Sequence, residues 1–322
     1  MLNKIKGCLF GGAIGDALGY AVEFYDEIEI FATYPKGIQD YKLNRGKAVF
    51  SDDTQMTLFT CEGLLMGKEV ERNIQKAYLD WYATQVHKTS YHPYTKLYQD
   101  KRMHENRAPG MACLNSLSLG GIGTIECPIN DSKGCGGVMR VAPIGFCKDI
   151  DVGLLASKAS AFTHGHPLGY IPSAMHAYLI QSIITQDMSL VDHVYHALNK
   201  TNELFKNMPF LDVFNALINQ AIDYSKKDIN DLDAIHDLGE GWVAEEALAI
   251  AVYCALKYEN DFKKAIVASV NHKGDSDSTG AITGNILGCF LGFEKLPKQY
   301  LMHLECQDIL DDISKRLYKK YA

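Results

Sequence analysis

No C-x-x-C pair occurs in the chain, and its nine cysteines (Cys8, Cys61, Cys113, Cys127, Cys135, Cys147, Cys254, Cys289 and Cys306) are scattered and odd in number. That argues against both a zinc frame and a disulfide framework, so the thiols are expected reduced and mostly buried in a cytoplasmic protein. A dense Lys/Arg run is also missing: Lys226-Lys227, Lys263-Lys264 and Lys319-Lys320 read as solvated faces, and the formal net charge is −7. A negative field without a basic stripe sets aside a nucleic-acid backbone as partner. Long apolar runs are absent too. The opening Met1-Leu2-Asn3-Lys4-Ile5-Lys6-Gly7 superficially resembles a signal peptide, but Asp16 interrupts the apolar stretch and no small-residue cleavage site follows. No segment approaches the roughly eighteen uninterrupted apolar residues of a membrane span, so a soluble protein without a membrane partner is expected.

Strand-like alternation is the last scarcity, confined to Lys47-Ala48-Val49-Phe50. What is present instead is helical periodicity, over residues 3–19, 54–66, 70–86, 108–118, 151–162, 168–185, 189–199, 210–226, 242–257, 260–270, 278–291 and 305–319. The pattern predicts an all-α fold, a single compact multi-helix orthogonal bundle. Pro and Gly cluster in residues 33–50, 87–110 and 119–137, none long or polar enough for an interdomain linker, so residues 1–322 are expected to form one domain, acting as a monomer. Glycines recur every fourth position at Gly7, Gly11, Gly15 and Gly19 and again at Gly280, Gly284, Gly288 and Gly292. Two helices therefore carry a bare strip on one face, which permits unusually close approach.

That approach matters because it could place two acidic clusters near each other. Ser51-Asp52-Asp53-Thr54 and Asp275-Ser276-Asp277-Ser278-Thr279 both mix carboxylates and hydroxyls at the mouth of a helical pattern. Either cluster alone reads as a helix cap. A cap needs one side chain, however, and each cluster spends two charges; carboxylates so crowded raise one another's pKa unless a hard divalent cation holds them ionised. The pair therefore reads as a two-part metal site.

Three further features join the set. Gly134-Cys135-Gly136-Gly137-Val138-Met139-Arg140 offers backbone N–H groups and a guanidinium to an anion, although a tight turn with a structural Arg has the same signature. In Thr163-His164-Gly165-His166-Pro167 the two histidines cannot share a helix face, and His164 is expected to reach substrate. Glu23 lies just beyond the first glycine helix, placed either as a solvated acid or as a catalytic acid or base on a loop.

Together these strings resemble the ADP-ribosylglycohydrolase family, which includes dinitrogenase reductase-activating glycohydrolases and ADP-ribosyl-arginine hydrolases. The likeness runs in order through Gly11-Gly12-Ala13-Ile14-Gly15-Asp16-Ala17-Leu18-Gly19, Ser51-Asp52-Asp53-Thr54, Gly136-Gly137-Val138-Met139-Arg140-Val141-Ala142-Pro143, Thr163-His164, Gly241-Trp242-Val243-Ala244-Glu245-Glu246-Ala247 and Asn271-His272-Lys273-Gly274-Asp275-Ser276-Asp277-Ser278-Thr279. The resemblance implies an all-helical fold and two divalent cations, Mg²⁺ expected and Mn²⁺ the alternative, held by Ser51, Asp52, Asp53, Asp275, Asp277 and Ser278. It implies Glu23, Asp52 and Asp53 as catalytic carboxylates, and Gly134, Gly136, Gly137, Met139, Arg140 and His164 as the substrate-binding set. The implied substrate is ADP-ribose attached to protein through arginine, with serine-linked ADP-ribose, O-acetyl-ADP-ribose and small nucleosides as alternatives. Serine stands at positions 51 and 278 where the family often has threonine, which keeps the ligating hydroxyl, and Lys273 stands where a second glycine is common.

Competing readings fit less well. Asp275-x-Asp277-x-Thr279 has the spacing of a haloacid dehalogenase-type phosphatase, but it lies late in the chain without α/β alternation. The Asp-Asp-x-x-Asp motif of a helical prenyl-diphosphate synthase fails at Met56. A non-catalytic ADP-ribose-binding relative would be expected to lose acids from one cluster, and both are intact.

Overall fold

The computed structural model describes residues 1–88 and 90–322. Its centre is an antiparallel pair of buried helices, Leu2–Gly19 and Ser276–Leu291. A Cβ added at Gly7 would lie 2.0 Å from the Gly288 carbonyl oxygen, one at Gly11 2.2 Å from that of Gly284, and one at Gly15 1.9 Å from that of Gly280. No side chain fits at such separations, so the two glycine strips are one seam with the backbones in contact. Asn285 pins the register, its Nδ2 donating to the Cys8 carbonyl at 2.9 Å. The seam ends where Gly19 meets Ser276, at the start of the second acidic cluster.

Around this pair the regular elements are all helical, and among the described residues no β-strand forms. The expected strand at 47–50 reduces to isolated bridges, Ala48 with Leu304 and Asn44 with Lys47. Outer helices bury one stripe: Gln307–Tyr321 turns Leu310, Ile313, Ser314, Leu317 and Tyr321 inward at three- and four-residue spacing. The inner helix Asp52–Leu65 is buried along nearly its whole length, which requires its polar groups to be paired within the protein. Among the described residues no helix is long and apolar enough to cross a membrane.

Most predicted helices are present, with three differences. Glu27–Thr33, Asp231–Leu238 and Lys298–His303 are additional helices, each too short to show a period. The helix predicted from 108 starts at Met111, because Ala108 has a φ of 54° and Pro109 follows it. The helices bearing the acidic clusters start at Asp52 and Ser276, so Asp52, Asp53 and Asp277 stand inside the first turn rather than ahead of it.

Candidate active site

Each acidic cluster is held by a different local device. Ser51 is the N-cap of its helix, its Oγ accepting from the Asp53 N–H at 3.2 Å. The turn is fixed from below by Asp16 of the glycine helix. This buried carboxylate accepts from Ser51 N–H at 2.7 Å, from Thr54 N–H at 2.9 Å and from the Thr54 hydroxyl at 2.5 Å. Burial raises Asp16 to about 6 against the pull of these donors. On the other side, Asp275 is the N-cap of its helix, and Ser278 N–H donates to both Asp275 Oδ1, at 3.3 Å, and Asp277 Oδ1, at 2.9 Å. Gly274, with φ of 121°, lets the chain turn against Glu240, whose carbonyl accepts from Asp275 N–H at 2.9 Å.

The glycine seam brings both clusters to one cavity of about 580 Å³, lined by Glu23, Asp52, Asp53, Asp275, Asp277 and Ser278 on one side and by Gly134, Cys135, Gly136, Met139 and His164 on another. No Lys or Arg is among its lining residues. Burial and mutual repulsion push Asp52, Asp53 and Asp277 well above the usual carboxylate range. Burial, with Asp275 and Asp52 next in weight, carries Glu23 up to about 9. Asp53 Oδ2 and Glu23 Oε2 are buried without a hydrogen-bond partner in the protein. Clustered hard oxygen donors with unmet hydrogen-bonding capacity suit a divalent cation. Among the described residues, though, no three His, Cys, Asp or Glu side chains are drawn together into a finished ligand cage. A second depression of similar size, about 550 Å³, bears Lys36, Lys263, Lys264, Asp231 and Asp261. Most of its charges are already engaged: Asp231 accepts from Tyr253, Lys257 and Tyr258, Lys264 lies 3.6 Å from Asp261 and Lys263 3.8 Å from Asp40.

Three residues expected at the site are not on its wall. Arg140 is fully buried behind it, its guanidinium 4.2 Å from the Tyr78 ring centroid and donating to the Ala159 carbonyl at 3.0 Å and the Thr163 hydroxyl at 2.7 Å. It therefore has no route to a substrate phosphate; it fixes Thr163, whose Oγ1 lies 2.8 Å from His164 Nδ1. Gly137 faces inward too, since a Cβ there would lie 2.0 Å from Ser160 Oγ. The side chain of Ser51 is occupied as a cap. His164 does line the cavity, and burial with the nearby Arg140 charge lowers it to about 3, so the ring is neutral and Nε2 is left for a ligand. Four residues at the site escape sequence reasoning. Asp16 shows there as a break in an apolar run and as one letter of a resemblance string, without a role, while Cys135, whose Sγ lies 2.7 Å from Asp275 Oδ2, is hidden between glycines. Phe24 and Trp242 reach the cavity from distant parts of the chain.

Comparison with known proteins places the chain in a family. The profile described as ADP-ribosylglycohydrolase matches residues 1–322. Similar relatives include ADP-ribosylhydrolase ARH3 of Bos taurus, 23% identical with 99% of this chain and 93% of the relative covered. ADP-ribosylhydrolase ARH1 of Dictyostelium discoideum is 25% identical, with 98% and 94% covered. A solved structure titled ADP-ribosylglycohydrolase-related protein complex aligns over 100% of this chain and 99% of its own, with a TM-score of 0.66 at 22% identity, which supports a common fold. With the family profile spanning the whole chain, the protein belongs to the ADP-ribosylglycohydrolase family.

Proposed function

We propose that this protein is a divalent-cation-dependent hydrolase that cleaves the glycosidic bond between ADP-ribose and a modified protein side chain, arginine first, and releases ADP-ribose. The observation that carries the reading is the convergence of five carboxylates, from two helix starts and one turn, in a cavity without a Lys or Arg in its lining. The relatives' printed names, ADP-ribosylhydrolases, support it. All nine cysteines are free thiols, which supports assignment to the reducing cytoplasm.

Two divalent cations, Mg²⁺ or Mn²⁺, would be held by Asp52, Asp53, Asp275, Asp277 and the Ser278 hydroxyl, and when bound supply Lewis acidity toward water and the ribose hydroxyls. The chain's own groups do the rest. Gly134 and Gly136 present bare backbone beside His164 Nε2, a wall suited to the diphosphate and distal ribose, with Met139 as its apolar part. Asp52 and Asp53 are carboxylates in reach of the water, and Glu23, whose Oε2 lacks a protein partner, moves a proton to the leaving group or from the water as an oxocarbenium-like ribose forms. Glu23 is raised in part by the charges of Asp52 and Asp275, and it would return toward ionisation once those charges are offset.

Incubating the protein and Mg²⁺ with arginine-linked, serine-linked and O-acetyl ADP-ribose tests the reading by release of free ADP-ribose. Binding of ADP-ribose without release from any of the three would assign a non-catalytic relative. Glu23→Gln keeps size and hydrogen bonding but loses the titrating group, so kcat should fall about a hundredfold with ADP-ribose affinity little changed. An unaltered kcat would remove Glu23 from the chemistry and leave Asp52 or Asp53 as the acting carboxylate.

A further inference from the structure

Glu23 and Phe24 are neighbours with opposite fates. Glu23 is 6% exposed inside the cavity, whereas Phe24 is 69% exposed at its mouth, an unusual position for a large apolar ring. Opposite stands Trp242, itself 41% exposed, with the ring centroids 6.3 Å apart and the planes at 24°. This is an offset stack across the opening of the cavity.

The two rings are mounted very differently. Trp242 sits on a braced strip: its carbonyl accepts from Cys135 N–H at 3.1 Å, and Ala244 N–H donates to the Lys133 carbonyl at 2.8 Å. The adjoining Glu240 and Gly241 amides both donate to Glu246 Oε2, at 3.0 and 3.2 Å. Phe24 ends a turn held by local backbone bonds, Tyr20 N–H to the Asp16 carbonyl at 2.8 Å, Val22 N–H to the Gly19 carbonyl at 2.8 Å and Tyr25 N–H to the Val22 carbonyl at 2.9 Å. Any swing of that turn would carry Glu23 with it.

We infer that Phe24 and Trp242 are positioning residues whose stack latches the turn at residues 20–24 onto the braced Trp242 strip and so fixes Glu23 inside the cavity. The inference rests on the part assigned to Glu23 in hydrolysis. A latch makes both rings act as one unit. Phe24→Ala and Trp242→Ala should each lower kcat on arginine-linked ADP-ribose about threefold to tenfold with KM little changed, the range set by one aromatic pair. The double variant should be no worse than either single, and Trp242→Phe should restore most of the rate. Additive losses, or losses confined to KM, would overturn the latch.

A second readout needs no turnover. Trp81, the other tryptophan, is fully buried, so iodide quenching of fluorescence in the metal-free protein reports Trp242. Quenching should rise in Phe24→Ala. Equal quenching while the unaltered protein hydrolyses substrate overturns the latch alone, whereas a complete lack of hydrolysis by the unaltered protein overturns the hydrolase reading and Glu23's part in it.

Discussion

Asp277→Asn should lower hydrolysis of ADP-ribosylated substrate by about a hundredfold or more while leaving the fold intact, since even residues that merely orient metal ligands are worth that much. The variant separates charge from shape. Asp277 Oδ1 accepts from Ser278 N–H at 2.9 Å, and an amide oxygen can do the same. Asp275, the N-cap, accepts from the same N–H at 3.3 Å, so helix geometry does not depend on a charge at 277. Because Asp53 and Asp275 repel Asp277 in the metal-free protein, removing its charge should leave the metal-free melting temperature unchanged or slightly higher. Loss of rate without loss of stability identifies a functional charge. Near-normal rates would show that Asp277 only ends a helix.

The second large effect falls on stability. Gly15→Ala should destabilise the protein by about 3 kcal/mol, because the added Cβ would lie 1.9 Å from the Gly280 carbonyl oxygen and the backbones must part. Intrinsic propensity has the opposite sign, since alanine in a helix interior is favoured over glycine by roughly 0.5–1 kcal/mol. Urea denaturation of Gly15→Ala beside Gly110→Ala, where an added Cβ meets nothing within 4 Å, decides between them. Equal stabilities would mean the seam can relax, and the close approach would not be what holds the two clusters together.

The seam is legible in the sequence because glycine at every fourth position leaves a helix face with only backbone to pack, at a cost in propensity that close approach offsets. It brings Asp275 and Asp277 to the end of the first helix, and Asp16 of that helix, holding Ser51 and Thr54, joins Asp52 and Asp53 to them. The direction of Arg140 is not legible. A glycine turn can present or withhold the following side chain, and only the packing of Tyr78 and Thr163 around the guanidinium settles which. Ser51 is ambiguous for a related reason: a hydroxyl at a helix start serves as cap or ligand, and the local N–H of Asp53 claims it. The helix Glu27–Thr33 has a capping box, Asp26 with Glu29, which is visible in the sequence but precedes a run too short to show a period. Phe24 and Trp242 meet only through tertiary structure, and no local pattern pairs them.

Metal dependence is the claim on which the account turns, and it is tested most directly by following release of free ADP-ribose from arginine-modified protein before and after chelation, with metal content fixed by elemental analysis. The crowded carboxylates need cations to remain ionised together, so stripped protein should release none, and added Mg²⁺ or Mn²⁺ should restore release in the unaltered chain far more than in Asp277→Asn. Full turnover by protein shown to be free of metal would contradict the account.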